Sequence, residues 1–241
     1  MTDIVLITGG SRGIGLATAR ALGRAGARVI ITGRSTDTVE PALKTLAAEG
    51  ISVDGEILDV TSYDDARRVI GIVADRYGRL DVLVNNAGVA GEWSYPADEN
   101  GFVDHRAVRM TFDTNVIGVC HMSDAALPLL RNSSDGRIVN VSSYMGSLTL
   151  QAQSTDPVIV PAYQASKAAL NSLTLSLAAS LADSGIRVVS IDPGFVQTDF
   201  SPINRDLAPL TAEQGAEPIV RAALGTLETG TFVARDGLVP W

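Results

Sequence analysis

The chain has 241 residues, 46% of them hydrophobic, and 19 basic against 27 acidic side chains leave a net charge of −8. That length suits one or two domains, can bury roughly 70–75% of the unfolded surface without a disulfide or metal, and with this apolar content excludes disorder. The acidic balance with no basic block speaks against nucleic acid as a partner, and no run of about 18 apolar residues is present to span a membrane.

The first residues, Met1-Thr2-Asp3-Ile4, carry no basic stretch and read straight into a strand, so no signal peptide is expected. Strand-length apolar runs then alternate with helical stretches. Strands are expected at Ile4–Thr8, Arg28–Thr32, Ser52–Leu58, Leu80–Asn85, Arg137–Ser142 and Ile186–Ile191. Helices are expected at Gly13–Ala25, Thr36–Glu49, Ser62–Tyr77, Val108–Leu130 and Tyr163–Ala182. Runs such as Val82-Leu83-Val84 and Val188-Val189-Ser190-Ile191 suit strands buried on both faces, as in a parallel sheet covered by helices. The alternation predicts a doubly wound α/β sheet. Three irregular stretches, Val89–His105, Leu148–Pro161 and Gln197–Leu210, are long for connections and are candidates for binding.

The first strand runs into Thr8-Gly9-Gly10-Ser11-Arg12-Gly13-Ile14-Gly15 and then a helix. Glycines permit a tight turn and close approach of a pyrophosphate, to which the helix N-terminus presents free N–H groups and a partial positive charge. The second strand ends Ile31-Thr32-Gly33-Arg34-Ser35, without the acid that would bind the ribose 2′-hydroxyl of NAD. Arg34 and Arg12 could instead grip a 2′-phosphate, which favours NADP(H) over NAD(H).

Further motifs follow in order: Asp59-Val60, Asn85-Asn86-Ala87-Gly88, Asn115, Ser142-Ser143, Tyr163-Gln164-Ala165-Ser166-Lys167, and Pro193-Gly194 with Thr198. With the glycine loop, these residues make the chain resemble the classical short-chain dehydrogenases/reductases over nearly its whole length. The residues from Thr229 to Trp241 resemble the carbonyl-reductase branch more than the acyl-carrier reductases. The resemblance implies a single Rossmann-type domain over residues 1–241, with a mostly parallel sheet completed by a strand near Thr231–Ala234. It places Asp59 and Val60 near the adenine, Asn86, Ala87 and Gly88 along the cofactor, and Pro193, Gly194, Val196 and Thr198 at the nicotinamide half.

Tyr163 and Lys167 are four apart on a helical stretch, roughly 6 Å along one face. A phenol ordinarily titrates near 10, and a nearby ammonium would lower that, making a general acid/base and its tuner. The resemblance adds that Lys167 bonds the nicotinamide ribose. Ser143, at the carboxyl end of its strand, would hydrogen-bond the substrate oxygen. Ser142 is its rival, and the Ser-x-x-Gly match of Ser143-Tyr144-Met145-Gly146 favours Ser143. For Asn115 the resemblance implies a helix kink holding a water that links Lys167 to solvent. Ser143 and Tyr163 stand 20 positions apart, about half a dozen more than is usual in the family, with the excess inside Leu148–Pro161.

The reading is an NADPH-dependent carbonyl reductase, reversible toward the alcohol, acting on a small-molecule ketone or aldehyde. An NAD-preferring alcohol or hydroxysteroid dehydrogenase is the alternative enzyme. A non-catalytic dinucleotide sensor is the alternative outside enzymes, opposed by the presence of Ser143, Tyr163, Lys167 and Asn115. The family's habit of pairing subunits through the helices at Val108–Leu130 and Tyr163–Ala182 predicts a homodimer or homotetramer. Cys120 is the only cysteine, so the chain forms no internal disulfide and the expected location is the reducing cytoplasm. Cys120 reads as core; His105 and His121 have no third partner for a metal. Trp93, Tyr95 and Trp241 are open between substrate contact, packing and an interface.

Overall fold

Strands that are apolar on both faces need two covering layers, and the topology supplies them. The computed structural model describes residues 2–99 and 101–241. The strands are β1 (Ile4–Ile7), β2 (Arg28–Gly33), β3 (Val53–Ile57), β4 (Val82–Asn85), β5 (Arg137–Val141), β6 (Arg187–Ile191), β7 (Thr231–Ala234) and β8 (Gly237–Leu238). They form one eight-stranded sheet in the order β3-β2-β1-β4-β5-β6-β7-β8. All neighbours are parallel up to β7, and β8 alone runs antiparallel. The sequence reading has no counterpart to β8, which is only two residues long and exposed.

The helices are α1 (Gly13–Arg24), α2 (Thr36–Ala48), α3 (Tyr63–Tyr77), α4 (His105–Phe112), α5 (Gly118–Arg131), α6 (Leu148–Gln153), α7 (Pro161–Ser180), α8 (Pro202–Leu207) and α9 (Ala212–Leu224). Successive strand residues face opposite layers. Ile4 and Leu6 of β1 join Val69, Val73, Met122, Leu130 and Ala178, from α3, α5 and α7. Val5 and Ile7 join Leu22, Leu46, Ile219 and Ala223, from α1, α2 and α9. Local chemistry sets the helix ends. In α3 the Ser62 hydroxyl accepts the Asp65 N–H, acids fill the first turn, and Gly78 closes the helix at φ 69°.

Two expectations are corrected here. The single helix over Val108–Leu130 is three pieces: α4, a π-helical segment Asp113–Ile117, and α5. The sequence reading has no counterpart to helix α9, although Thr211 and Gln214 form a complete capping box at its start. The long stretch before Tyr163 contains α6, started by Ser147. Residues 240–241 pin it: the Ser147 hydroxyl donates to the Pro240 carbonyl at 2.6 Å and Thr149 N–H to the Trp241 carbonyl at 3.2 Å. The Trp241 ring stacks on Phe232 with centroids 5.5 Å apart, so it is a packing residue in this fold.

The order of strands reverses between β1 and β4. Their connections leave in opposite directions there and open a crevice at the carboxyl ends, where such sheets bind ligands.

Candidate active site

The glycine loop forms one wall of that crevice. Gly9 and Gly13 have φ of +62° and +53°, which side-chain-bearing residues rarely adopt. At Gly15 a Cβ would lie 2.4 Å from the Gly9 carbonyl oxygen and 2.6 Å from Asn86 Nδ2. The loop is tied to the turn after β4. Thr8 Oγ1 accepts N–H bonds from Asn86 and Ala87, both at 3.0 Å, and Asn86 Nδ2 donates to the Thr8 and Gly9 carbonyls. Gly10 N–H donates to the Thr32 carbonyl at 2.9 Å, which brings Ser11 and Arg12 beside the end of β2 and Arg34. Arg12 and Arg34 are both exposed and have no carboxylate partner among the described residues.

Helix α1 starts without a capping side chain and with no acid in its first turn. An uncapped N-terminus behind a loop that side chains would block suits a pyrophosphate, so the residues present fit a dinucleotide. Ile14 opens the helix beside Gly13 and Gly15. Across the loop, Thr198 Cγ2 would sit 3.3 Å from a Cβ on Gly13, so the segment after β6 approaches the same cradle. Pro193 and Gly194 form the turn between them, Gly194 at φ +81° with its N–H on Asp192 Oδ1 at 3.0 Å. Val196 is buried and bridges to Leu210. Asp59 holds Thr61 through bonds of 2.9 and 2.8 Å, and Val60 is buried where Gly118 leaves room for it.

The second wall carries the candidate chemistry. Ser143 follows β5, and its hydroxyl accepts the Met145 N–H at 3.2 Å and is close enough to the Tyr163 phenol to act on its ionisation. Ser142 points elsewhere: its hydroxyl donates to Asn171 Oδ1 of α7 at 2.6 Å. Gly146 explains the spacing, since a Cβ there would lie 2.7 Å from the Lys167 carbonyl carbon. The turn therefore nests directly on α7 and brings Ser143 to Tyr163. The Phe200 ring meets Tyr163 edge-on, centroids 5.5 Å apart. Lys167 Nζ lies 5.6 Å from the centre of the Tyr163 ring and donates to the Val141 carbonyl at 2.8 Å.

Electrostatics depart from the expectation that Lys167 depresses the phenol. Burial raises the Tyr163 pKa above its ordinary value. Interaction with the Ser143 hydroxyl opposes this; the neighbouring Asp192 reinforces it. Burial pushes Lys167 down to about 8, with Asp192 acting in the opposite direction. Asp192 itself is raised by burial, against N–H bonds from Gly194 and Tyr144 and the charge of Lys167.

Asn115 lies in the π-helical segment between α4 and α5. Its side chain bonds Val89 on both main-chain atoms, at 2.9 Å each, and donates to Ser166 Oγ at 2.9 Å. It thus clamps the turn Asn86-Ala87-Gly88 to the helix of Tyr163 and Lys167. Sequence reasoning missed Asp192 and Glu92. Asp192 stood next to the Pro193-Gly194 motif and could have been suspected; Glu92 had no local signal. Cys120 is half-buried, and burial raises its thiol. Tyr95 lies under the Arg106 guanidinium, 4.7 Å from the ring centre, and Trp93 is exposed. Among the described residues no group of three His, Cys, Asp or Glu side chains is placed to hold a metal, and no helix is long and apolar enough to cross a membrane.

A sequence model of the short chain dehydrogenases matches residues 3–207. Short-chain dehydrogenase anuI of Penicillium roqueforti is 36% identical over 229 residues, covering 91% of this chain and 88% of that protein. The structure of carbonyl reductase Sniffer of D. melanogaster matches with a TM-score of 0.86 at 27% identity, covering 100% of both chains. NADPH-bound carbonyl reductase from chicken fatty liver matches with a TM-score of 0.85 at 26% identity, covering 100% of this chain and 99% of that one. Sequence over most of the length and topology over all of it agree: the chain belongs to the short-chain dehydrogenase/reductase family of oxidoreductases, whose fold binds NAD(P).

Proposed function

We propose that the protein is an NADPH-dependent carbonyl reductase that converts a small-molecule ketone or aldehyde to its alcohol, reversibly. The observation that carries this reading is the convergence of Ser143, Tyr163 and Lys167 at the crevice: the turn after Ser143 packs on α7 at Gly146, and Lys167 Nζ lies 5.6 Å from the centre of the Tyr163 ring. A phenol carries its proton at neutral pH and so has one to give. As charge builds on a substrate carbonyl oxygen, Tyr163 passes its proton to that oxygen and Ser143 hydrogen-bonds the same atom. Lys167, buried and near 8, exchanges a proton near neutrality and can help restore the phenol. Asn115 keeps the two walls in register.

The cofactor, when bound, supplies the hydride. Gly9, Ser11, Arg12, Gly13, Ile14 and Gly15 would hold its pyrophosphate, with Asp59 and Val60 at the adenine. Asn86, Ala87 and Gly88 would run along it, and Tyr163, Lys167, Pro193, Gly194, Val196 and Thr198 would line the nicotinamide half. Arg34 and Arg12, free of carboxylates and flanking one edge, support NADPH as the preferred form. The NADPH-bound state of the chicken carbonyl reductase supports the same choice. Subunits are proposed to pair through α5 and α7 as a homodimer or homotetramer.

A panel of activated ketones run with NADPH and NADH in parallel tests the reading. The expected result is turnover with kcat/KM higher for NADPH. Arg34→Ala should lower kcat/KM for NADPH about 10–100-fold, roughly 1.4–2.7 kcal/mol, and leave NADH within about twofold. No turnover with any ketone would overturn the enzyme reading, and an NADH preference would overturn the cofactor choice alone.

A further inference from the structure

The helix that carries Tyr163 and Lys167 has no cap of its own. Its N-cap position is Val160, which has no side-chain acceptor, and Pro161 begins the first turn. Gln164 reaches back to bond the Val160 N–H at 3.0 Å, but the complementary acceptor for the turn's own N–H groups is missing locally. It arrives from another part of the chain. Glu92 accepts the Tyr163 N–H through Oε1 at 2.9 Å, across 71 positions of sequence.

Glu92 is delivered by a rigid turn, Gly91–Trp93. The Gly91 N–H bonds Thr111 Oγ1 at 2.9 Å, and a Cβ on Gly91 would lie 2.5 Å from the Ala107 carbonyl oxygen. The turn is therefore wedged against α4, just beyond the Val89 clamp made by Asn115. The second carboxylate oxygen, Oε2, is buried and has no hydrogen-bond partner among the described residues. Capping requires one acceptor oxygen, which an uncharged amide would also provide.

We propose that Glu92 is a positioning residue for the reduction: it clamps the first turn of α7 and so fixes where Tyr163 stands in the crevice. The proposal deepens, and rests on, the reading of Tyr163 as the acid. From α4, Arg106 is paired with Asp104 and covers Tyr95, and no charged side chain of α4 bonds Glu92 among the described residues, so the carboxylate is left to the Tyr163 N–H.

Two substitutions test the clamp. Glu92→Gln keeps an acceptor for the Tyr163 N–H; Glu92→Ala removes it. Reduction of ethyl benzoylformate by NADPH is followed for both, with NADPH affinity read by fluorescence titration and folding by thermal melts. Glu92→Ala should lose about tenfold or more in kcat with NADPH affinity within about twofold, and Glu92→Gln should hold kcat within about threefold of the parent. Rescue by the amide is a result that a general loss of packing would not give. An unchanged kcat in a folded Glu92→Ala overturns the clamp, as does a Glu92→Gln as slow as the alanine variant. If Glu92→Ala does not fold, Glu92→Met, which fills the space without an oxygen acceptor, takes its place, and parental kcat there overturns the clamp equally. Substantial turnover by Tyr163→Phe would instead overturn the assignment of the acid itself, a separable result.

Discussion

Burial acts on Tyr163 and Lys167 in one physical sense, toward the uncharged form of each. The phenol rises because its anion is poorly solvated, and the ammonium falls for the same reason. Tyr163→Phe keeps the ring and deletes the transferable proton. It is expected to lower turnover about 10²–10⁴-fold, roughly 3–5 kcal/mol of barrier, with NADPH binding nearly intact by fluorescence titration. Retention of more than about a tenth of activity, a loss under roughly 1.4 kcal/mol, would remove Tyr163 as the acid. Lys167 also leaves a mark on stability. Its folded pKa, about 8, lies below the ordinary 10.5, so between those values the unfolded chain binds more protons and stability rises with pH. Denaturant unfolding should show a gain of about 1–3 kcal/mol between pH 7.5 and 9.5, absent in Lys167→Met. Tyr163 opposes further gain above about pH 10, where the unfolded phenol ionises first. A flat profile in the parent protein would contradict the burial of the lysine.

At the scale of elements, the crevice depends on how closely the α1 loop meets the turn after β4. Gly15 shows the tolerance: its missing Cβ leaves space for the Gly9 carbonyl and the Asn86 amide. Both are held, the amide by bonds to Thr8 and Gly9, so neither can yield cheaply. Gly15→Ala is expected to destabilise the fold by about 1–3 kcal/mol and weaken NADPH binding at least about tenfold, checked by denaturant melts and fluorescence titration. An alanine variant with parental affinity would show that the loop adapts. Elements also explain what was legible. Strand and helix periods placed β1 to β6 and most of their helices within a few residues, because burial on both faces imposes continuous apolar strands. The π-helical segment was invisible, since its register change answers to Val89 and Ser166, not to local propensity.

For the whole molecule, the open question is what covers α5 and α7. The outward side of α7 shows Leu175, 41% exposed, and Ile117 at the start of α5 is 44% exposed. Ala178 of α7 is buried inside the subunit and takes no part in that face. Light scattering at micromolar concentration is expected to give a dimer or tetramer, and Leu175→Glu to shift it toward monomer while the melting temperature of the subunit changes little. A monomeric parent would point to the stretch around α6, whose Leu148, Val158 and Ile159 are exposed, as an obstacle to pairing.

What the sequence determined by itself was whatever short-range geometry controls. Helical rise puts Tyr163 and Lys167 on one face, glycine freedom permits the loop at Gly9 and Gly13, and apolar runs demand a covered sheet. The tertiary structure decided whatever depends on neighbours far along the chain. It turned the Ser142 hydroxyl to Asn171. It brought Glu92 to the main chain of Tyr163 and, by burial, raised the phenol where spacing alone had suggested lowering it. The reason is physical: spacing along a helix is fixed by bond geometry. Solvation and charge at a buried atom are set by whichever segments fold around it.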